Sequence, residues 1–194
     1  MIYRKDNKVL EIYKDEEPSN PREWDSFTRM VCFHRDYILG DDTELKSRMF
    51  SNWEEVKQHL IKEEGAKVIM PLYLLDHSGL SISLYPFSCP WDSKQVGFIF
   101  ISADMMKTHK LTEKRAKEII KADVKVYDQY LIGDVYFYNL YEEEKCNCCG
   151  NVSKNLLDSV GGFFGSKFEE NGLFDSAGVD IKKWVVEDDE FQLH

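Results

Sequence analysis

The residues best equipped for chemistry crowd into two neighbouring stretches, Leu75-Asp76-His77-Ser78-Gly79 and Phe87-Ser88-Cys89-Pro90-Trp91-Asp92-Ser93. A cysteine nucleophile needs an imidazole to take its proton and a third group to orient that imidazole. Cys89, His77 and either Asp92 or Asp76 supply those types, which points to a cysteine-dependent enzyme. The same residues have plainer uses. Asp76 suits an Asx-turn, His77 a polar turn position, Cys89 a small buried hydrophobe, and Trp91 a plug on a sheet end. The two loops flank a strand predicted over Leu80 to Tyr85. If they stand at its opposite ends, about six residues of strand separate them by roughly 20 Å. No hydrogen bond spans that unless a third loop intervenes.

A second cluster is Cys146-Asn147-Cys148-Cys149-Gly150. Cys146 and Cys149 have the C-x-x-C spacing of half a zinc knuckle, but zinc calls for four ligands and no second pair follows. Cys32 and His34 are the nearest helpers, far away in sequence. The expectation is therefore no cofactor, with zinc on Cys146 and Cys149 as the alternative, in a zinc-stabilised structural or assembly protein. An odd count of five cysteines and an N-terminal stretch without an apolar segment argue for a reducing cytoplasm rather than a disulfide framework.

The charge is lopsided. Residues 1–125 hold 21 acids and 20 bases, whereas residues 126–194 hold 14 acids and 5 bases. Acidic runs fall at Glu142-Glu143-Glu144, Glu169-Glu170 and Glu187-Asp188-Asp189-Glu190. Such a balance repels phosphate backbones, so no direct nucleic-acid binding is expected. It suits a basic protein surface instead. The candidate partner contacts are Glu142, Glu143 and Glu144, with the aromatic side chains of Tyr127, Tyr130 and Trp91. Val68 to Leu75 is the longest apolar run, eight residues, too short to span a membrane. Gly161-Gly162-Phe163-Phe164-Gly165 lacks the Lys and Ser/Thr of a phosphate-binding loop.

The elements that must position these residues follow from periodicity. Strands are predicted at Val9 to Tyr13, Val31 to Phe33, Lys67 to Leu75, Leu80 to Tyr85, Val96 to Ser102 and Asp134 to Tyr141. Pro71 marks an edge or a bulge, and Asp76 to Gly79 closes a hairpin. Ser51-Asn52-Trp53-Glu54 reads as a capping box with Ser51 as N-cap, opening a helix that Gly65 stops. Ala116, Ile119, Ile120, Val124, Tyr127, Tyr130 and Leu131 repeat every three or four residues in a helix from near Thr112 to Gly133, and a last helix is predicted around Asp180 to Val186. Asn155 to Phe164 is mixed in character. The fold expected is α+β, a mainly antiparallel sheet of about five strands with three or four helices, one of them long and near 112–132. It is expected as a single domain over 1–194, acidic from about residue 142.

Several strings occur together: Asn20-Pro21-Arg22-Glu23-Trp24-Asp25, Asp76-His77-Ser78-Gly79, Phe87-Ser88-Cys89-Pro90-Trp91-Asp92-Ser93 with Gln95-Val96-Gly97, and Tyr127-Asp128-Gln129-Tyr130-Leu131 with Gly133-Asp134-Val135-Tyr136. Over roughly residues 8 to 165 the chain resembles a family of uncharacterised proteins carried by bacteriophages, prophages and other mobile elements. It departs from the family at Asp158-Ser159-Val160-Gly161-Gly162-Phe163-Phe164-Gly165, where members carry Asp-Ser-Cys-Trp-Gly-Phe-Tyr-Gly. The resemblance implies an accessory protein acting in the cytoplasm of the bacterial host. It would bind and inhibit a defence complex, of the anti-CRISPR or anti-restriction type. A cysteine enzyme acting on a small defence-related molecule is the alternative.

Overall fold

The computed structural model describes residues 1–77, 79–89 and 91–187. Among them are nine strands and four α-helices, with every strand pairing antiparallel. The class is α+β, as the periodicity predicts, but the strands form two sheets, of five and four strands. The chain, expected as one domain, divides into two compact units: Met1–Ser19 with the chain from Gly133 onward, and Asn20–Ile132 between them in sequence. Among the described residues no helix is long and apolar enough to cross a membrane.

The inserted unit is built on β3 (Arg29–Cys32), β4 (Ala66–Asp76), β5 (Leu80–Ser83) and β6 (Ser93–Ser102), in the order β3-β6-β4-β5. Val96 to Ile101 of β6 are all buried, the mark of a strand covered on both faces. On one face lies α3 (Glu113–Leu131), whose Ala116, Ile120, Val124 and Tyr127 pack with Met30, Leu72, Ile99 and Ile101. On the other, Val56 and Leu60 of α1 (Trp53–Lys62) pack with Val31, Phe98 and Phe100. A short α2 (Ala103–Thr108) follows β6 directly, with Ser102 as its N-cap.

Local signals explain the boundaries. Thr112 accepts a hydrogen bond from Arg115 N and opens α3, and Gly133, at φ +69°, ends it. The N-cap of α1 is Asn52, not Ser51. Its Oδ1 accepts from Glu55 N, and the Glu55 carboxylate accepts from Ser51 N, so the cap sits one residue later than predicted and the Glu55 bond reaches the residue before it. That shift makes Trp53 the first helical residue, where its ring packs on Phe33 and Phe98. Pro71 is tolerated in β4 because β5 pairs only with Tyr73 to Asp76. Before that point β4 is an edge on its β5 side, and the missing N–H costs nothing. Asp128 of α3 accepts from Ser81 Oγ and Ile82 N, tying the helix to β5.

The other unit has the order β8-β7-β2-β1-β9, from β1 (Ile2–Lys5), β2 (Lys8–Lys14), β7 (Val135–Lys145), β8 (Val152–Phe164) and β9 (Val185–Glu187). A one-turn helix α4 (Leu173–Ser176) covers one face, burying Leu173 and Phe174 with Tyr3, Leu10, Ile12 and Tyr138. Two sequence expectations change here. Asn155 to Phe164 belongs to a thirteen-residue strand, and its two glycines coincide with a break in register against Tyr136 and Tyr138, where Gly162 takes φ +84°. Asp180 to Val186 is not a helix. A single 3-10 turn at Ile181–Lys183 leads into β9, whose β-branched Val185 and Val186 pair with Arg4 and Tyr3 of β1.

Candidate functional site

The loops carrying His77 and Cys89 meet at the same end of the four-stranded sheet. The strand β5 is only four residues long, and the chain after it doubles back, held by a hydrogen bond from Phe87 N to Ser93 Oγ, so that β6 starts opposite Leu75. Asp76 N then donates to Asp92 O at 3.1 Å. The roughly 20 Å separation that opposite strand ends would give therefore does not arise, because both loops return to one end. The Cys89 thiol donates to Asp92 Oδ2 at 3.2 Å, and His77 Nδ1 lies 3.4 Å from the same oxygen.

The order of these three groups decides what they can do. A nucleophile–base pair puts the imidazole against the sulfur and the carboxylate behind the imidazole. Here sulfur and imidazole each meet the carboxylate, at the same oxygen. Asp76, the other candidate orienter, has its carboxylate 4.0 Å from His34 Nε2 instead. Beside them opens a crevice of 340 Å³ lined by His34, Asp76, Trp91, Asp92, Lys94 and Gln95 among others, and Trp91 at its rim is 86% exposed. A second cavity, of 460 Å³, shares Phe33 and His34 with it. Ser78 and Pro90 lie outside the described residues.

The expected partner contacts are distributed over both units. Tyr127 is buried. Its ring stacks on Tyr130, its hydroxyl accepts from Gly40 N, and burial pushes its pKa up to about 12. It is a core residue with no surface to offer, because the helical spacing it shares with Ala116, Ile120 and Val124 points it at the sheet. Tyr130 is half-buried at the edge of the same core. Glu142, Glu143 and Glu144 lie on β7, where successive side chains take opposite faces. Glu143 pairs with Arg4 at 2.8 Å, Glu142 accepts from Asn7, and Glu144 is exposed. The three carboxylates are thus not equivalent: one is neutralised within the molecule, and the two on the opposite face are open to a partner. On the face of Glu143, Lys154 pairs with Glu11 at 2.7 Å. Burial alone would raise the Glu11 pKa, but hydrogen bonds from Lys154 and Tyr13, aided by the Lys154 and Arg4 charges, outweigh it and hold Glu11 below the usual carboxylate range. Asp188, Asp189 and Glu190 of the last acidic run lie outside the described residues.

The sequence reading missed β8. Its first eight residues, Val152 to Ser159, are all exposed, Val152, Leu156 and Leu157 included, and it is an edge strand of its sheet. Three exposed apolar side chains beside an unpaired backbone edge form a ready surface for another chain.

The cysteine loop is the tip of the β7–β8 hairpin. The sulfurs of Cys146 and Cys148 are 2.9 Å apart, and Cys149 joins them. A hydrogen bond from the Cys148 thiol, aided by the backbone N–H groups of Cys149 and Cys148, holds the Cys146 thiol down at about 6. Cys32, the suggested helper, differs: burial, with the Asp41 charge beside it, pushes its thiol up to about 12, the wrong direction for a thiolate ligand. The chain matches no protein-family profile, no curated protein and no solved structure.

Proposed function

We propose that this chain is a phage or mobile-element accessory protein that binds and inhibits a host defence complex, of the anti-CRISPR or anti-restriction type, in the bacterial cytoplasm. The observation that carries the reading is the β7–β8 hairpin. It combines an exposed edge strand, the apolar side chains of Val152, Leu156 and Leu157, and the open carboxylates of Glu142 and Glu144. The unit that bears it has 18 acids against 9 bases in the full sequence. A basic groove that normally holds phosphates would attract the Glu142 and Glu144 face of the hairpin, with carboxylates standing where phosphates do, while Val152 and Leu156, in register with Lys145 and Tyr141, lie on the opposite face beside the open edge. The test starts from a tagged pull-down out of host lysate, followed by binding kinetics with the captured protein. Glu142→Lys combined with Glu144→Lys is expected to slow association about tenfold at low salt and to flatten its salt dependence, with little change in dissociation. An unchanged on-rate, or no stoichiometric partner, overturns the reading.

One observation favours a second reading, a cysteine-dependent enzyme: Asp92 brings Cys89 and His77 to one carboxylate oxygen. Cys89→Ala separates the two. Inhibition that survives the substitution belongs to the binding protein. Inhibition that is lost while partner capture persists belongs to the enzyme.

A further inference from the structure

We propose that Cys146, Cys148 and Cys149 together hold one thiophilic d10 cation, zinc(II) or copper(I), at the tip of the β7–β8 hairpin. The C-x-x-C spacing offered two ligands and no completing pair; the fold supplies the third from Cys148, the residue the spacing skips. All three sulfurs lie within 4.8 Å of one another, and those of Cys146 and Cys148 are 2.9 Å apart. A metal with M–S bonds of about 2.3 Å wants its sulfurs about 3.8 Å apart, a separation between those two values that small side-chain rotations reach. The frame is already closed. Cys146 N donates to Asn151 O at 2.8 Å, Gly150 N donates to Cys146 O at 2.9 Å, and Gly150 turns the chain at φ +74°. Strands of eleven and thirteen residues run up to the two ends of the loop.

The donor set selects the ion. Three thiolates without imidazole or carboxylate suit soft and borderline cations and leave magnesium and calcium without their oxygen ligands. Copper(I) is satisfied by three sulfurs. Zinc keeps a fourth position for a water molecule or a ligand from outside the chain, since among the described residues no fourth ligand joins the set. All three cysteines are exposed, so an ion reaches them without opening the fold.

The test uses the full chain, reduced and stripped of metal, and stands apart from the inhibitor reading because it needs no partner. Native mass spectrometry follows addition of zinc(II) in one arm and copper(I) in the other, each buffered by a weak competing chelator. One ion per chain is expected. Cobalt(II) in the zinc arm should give the sulfur-to-metal charge-transfer absorption of thiolate ligation. Cys148→Ser should weaken binding by about 100-fold or more, while Cys32→Ser leaves it unchanged. Circular dichroism checks that each variant is folded. Uptake in only one arm assigns the ion. Less than one ion per two chains in both arms, or binding indifferent to Cys148→Ser, overturns the proposal.

Discussion

Arg22 fastens three segments of the inserted unit with one guanidinium. Its Nε and Nη2 donate to the two carboxylate oxygens of Asp41 at 2.7 and 3.0 Å, and its Nη1 and Nη2 donate to Thr28 Oγ1 and Thr28 O. Asp123 of α3 lies 3.7 Å away. The Arg22 side chain is 4% exposed, and Asp41 also accepts from Met30 N at the start of β3. Removing the cation leaves a carboxylate with little water to turn to. Arg22→Ala is therefore expected to cost about 3–5 kcal/mol, read from the urea midpoint. Arg22→Lys should recover only part of it, because an ammonium cannot make the two parallel bonds. A loss under about 1 kcal/mol, the scale of an exposed pair, would mean that the cluster is not built around this charge. The string Asn20-Pro21-Arg22-Glu23-Trp24-Asp25 hints at an ion pair, but the partner is nineteen residues on and the hydroxyl partner belongs to a different segment. A residue's type declares which bonds it can make; the fold chooses with whom.

At the scale of elements, β6 shows how a strand can depend on one glycine. A Cβ at Gly97 would overlap the Val31 carbonyl oxygen and lie 2.9 Å from Cys32 Cα, so β3 approaches β6 as closely as it does only because the side chain is missing. Gly97→Ala is expected to destabilise by about 2 kcal/mol or more, as overpacking against backbone does. Gly161→Ala is the control, since its added carbon meets nothing nearer than 3.5 Å, and should cost under about 1 kcal/mol. Equal losses at both sites would refute the close-approach argument. The elements readable in advance were those whose pattern serves the core: α3 through its repeat of Ala116, Ile120, Val124 and Tyr127, and β4, β5 and β6 through apolar runs and alternation. The strand β8 was not readable because it buries almost nothing, and β9 was misread because three residues hold too little periodicity to tell a strand from a turn.

For the whole molecule, the charge asymmetry seen along the sequence follows the structural division. Almost all of the net negative charge lies in the unit that carries the β7–β8 hairpin, and the inserted unit, with 17 acids and 16 bases, is nearly balanced. A binding mode steered by that charge should weaken with ionic strength, which is why the salt dependence of the on-rate discriminates among readings better than affinity does. The sequence by itself determined the α+β class, the antiparallel preference, the long helix and the acidic bias, because each is set by residues within a few positions of one another or by composition alone. Tertiary structure decided the rest. It sorted the strands into two sheets, brought Cys89 and His77 to one carboxylate oxygen of Asp92, and buried Tyr127. Those outcomes rest on which segments pair across long stretches of chain and on how the chain returns after a short strand, and neither is encoded in local spacing.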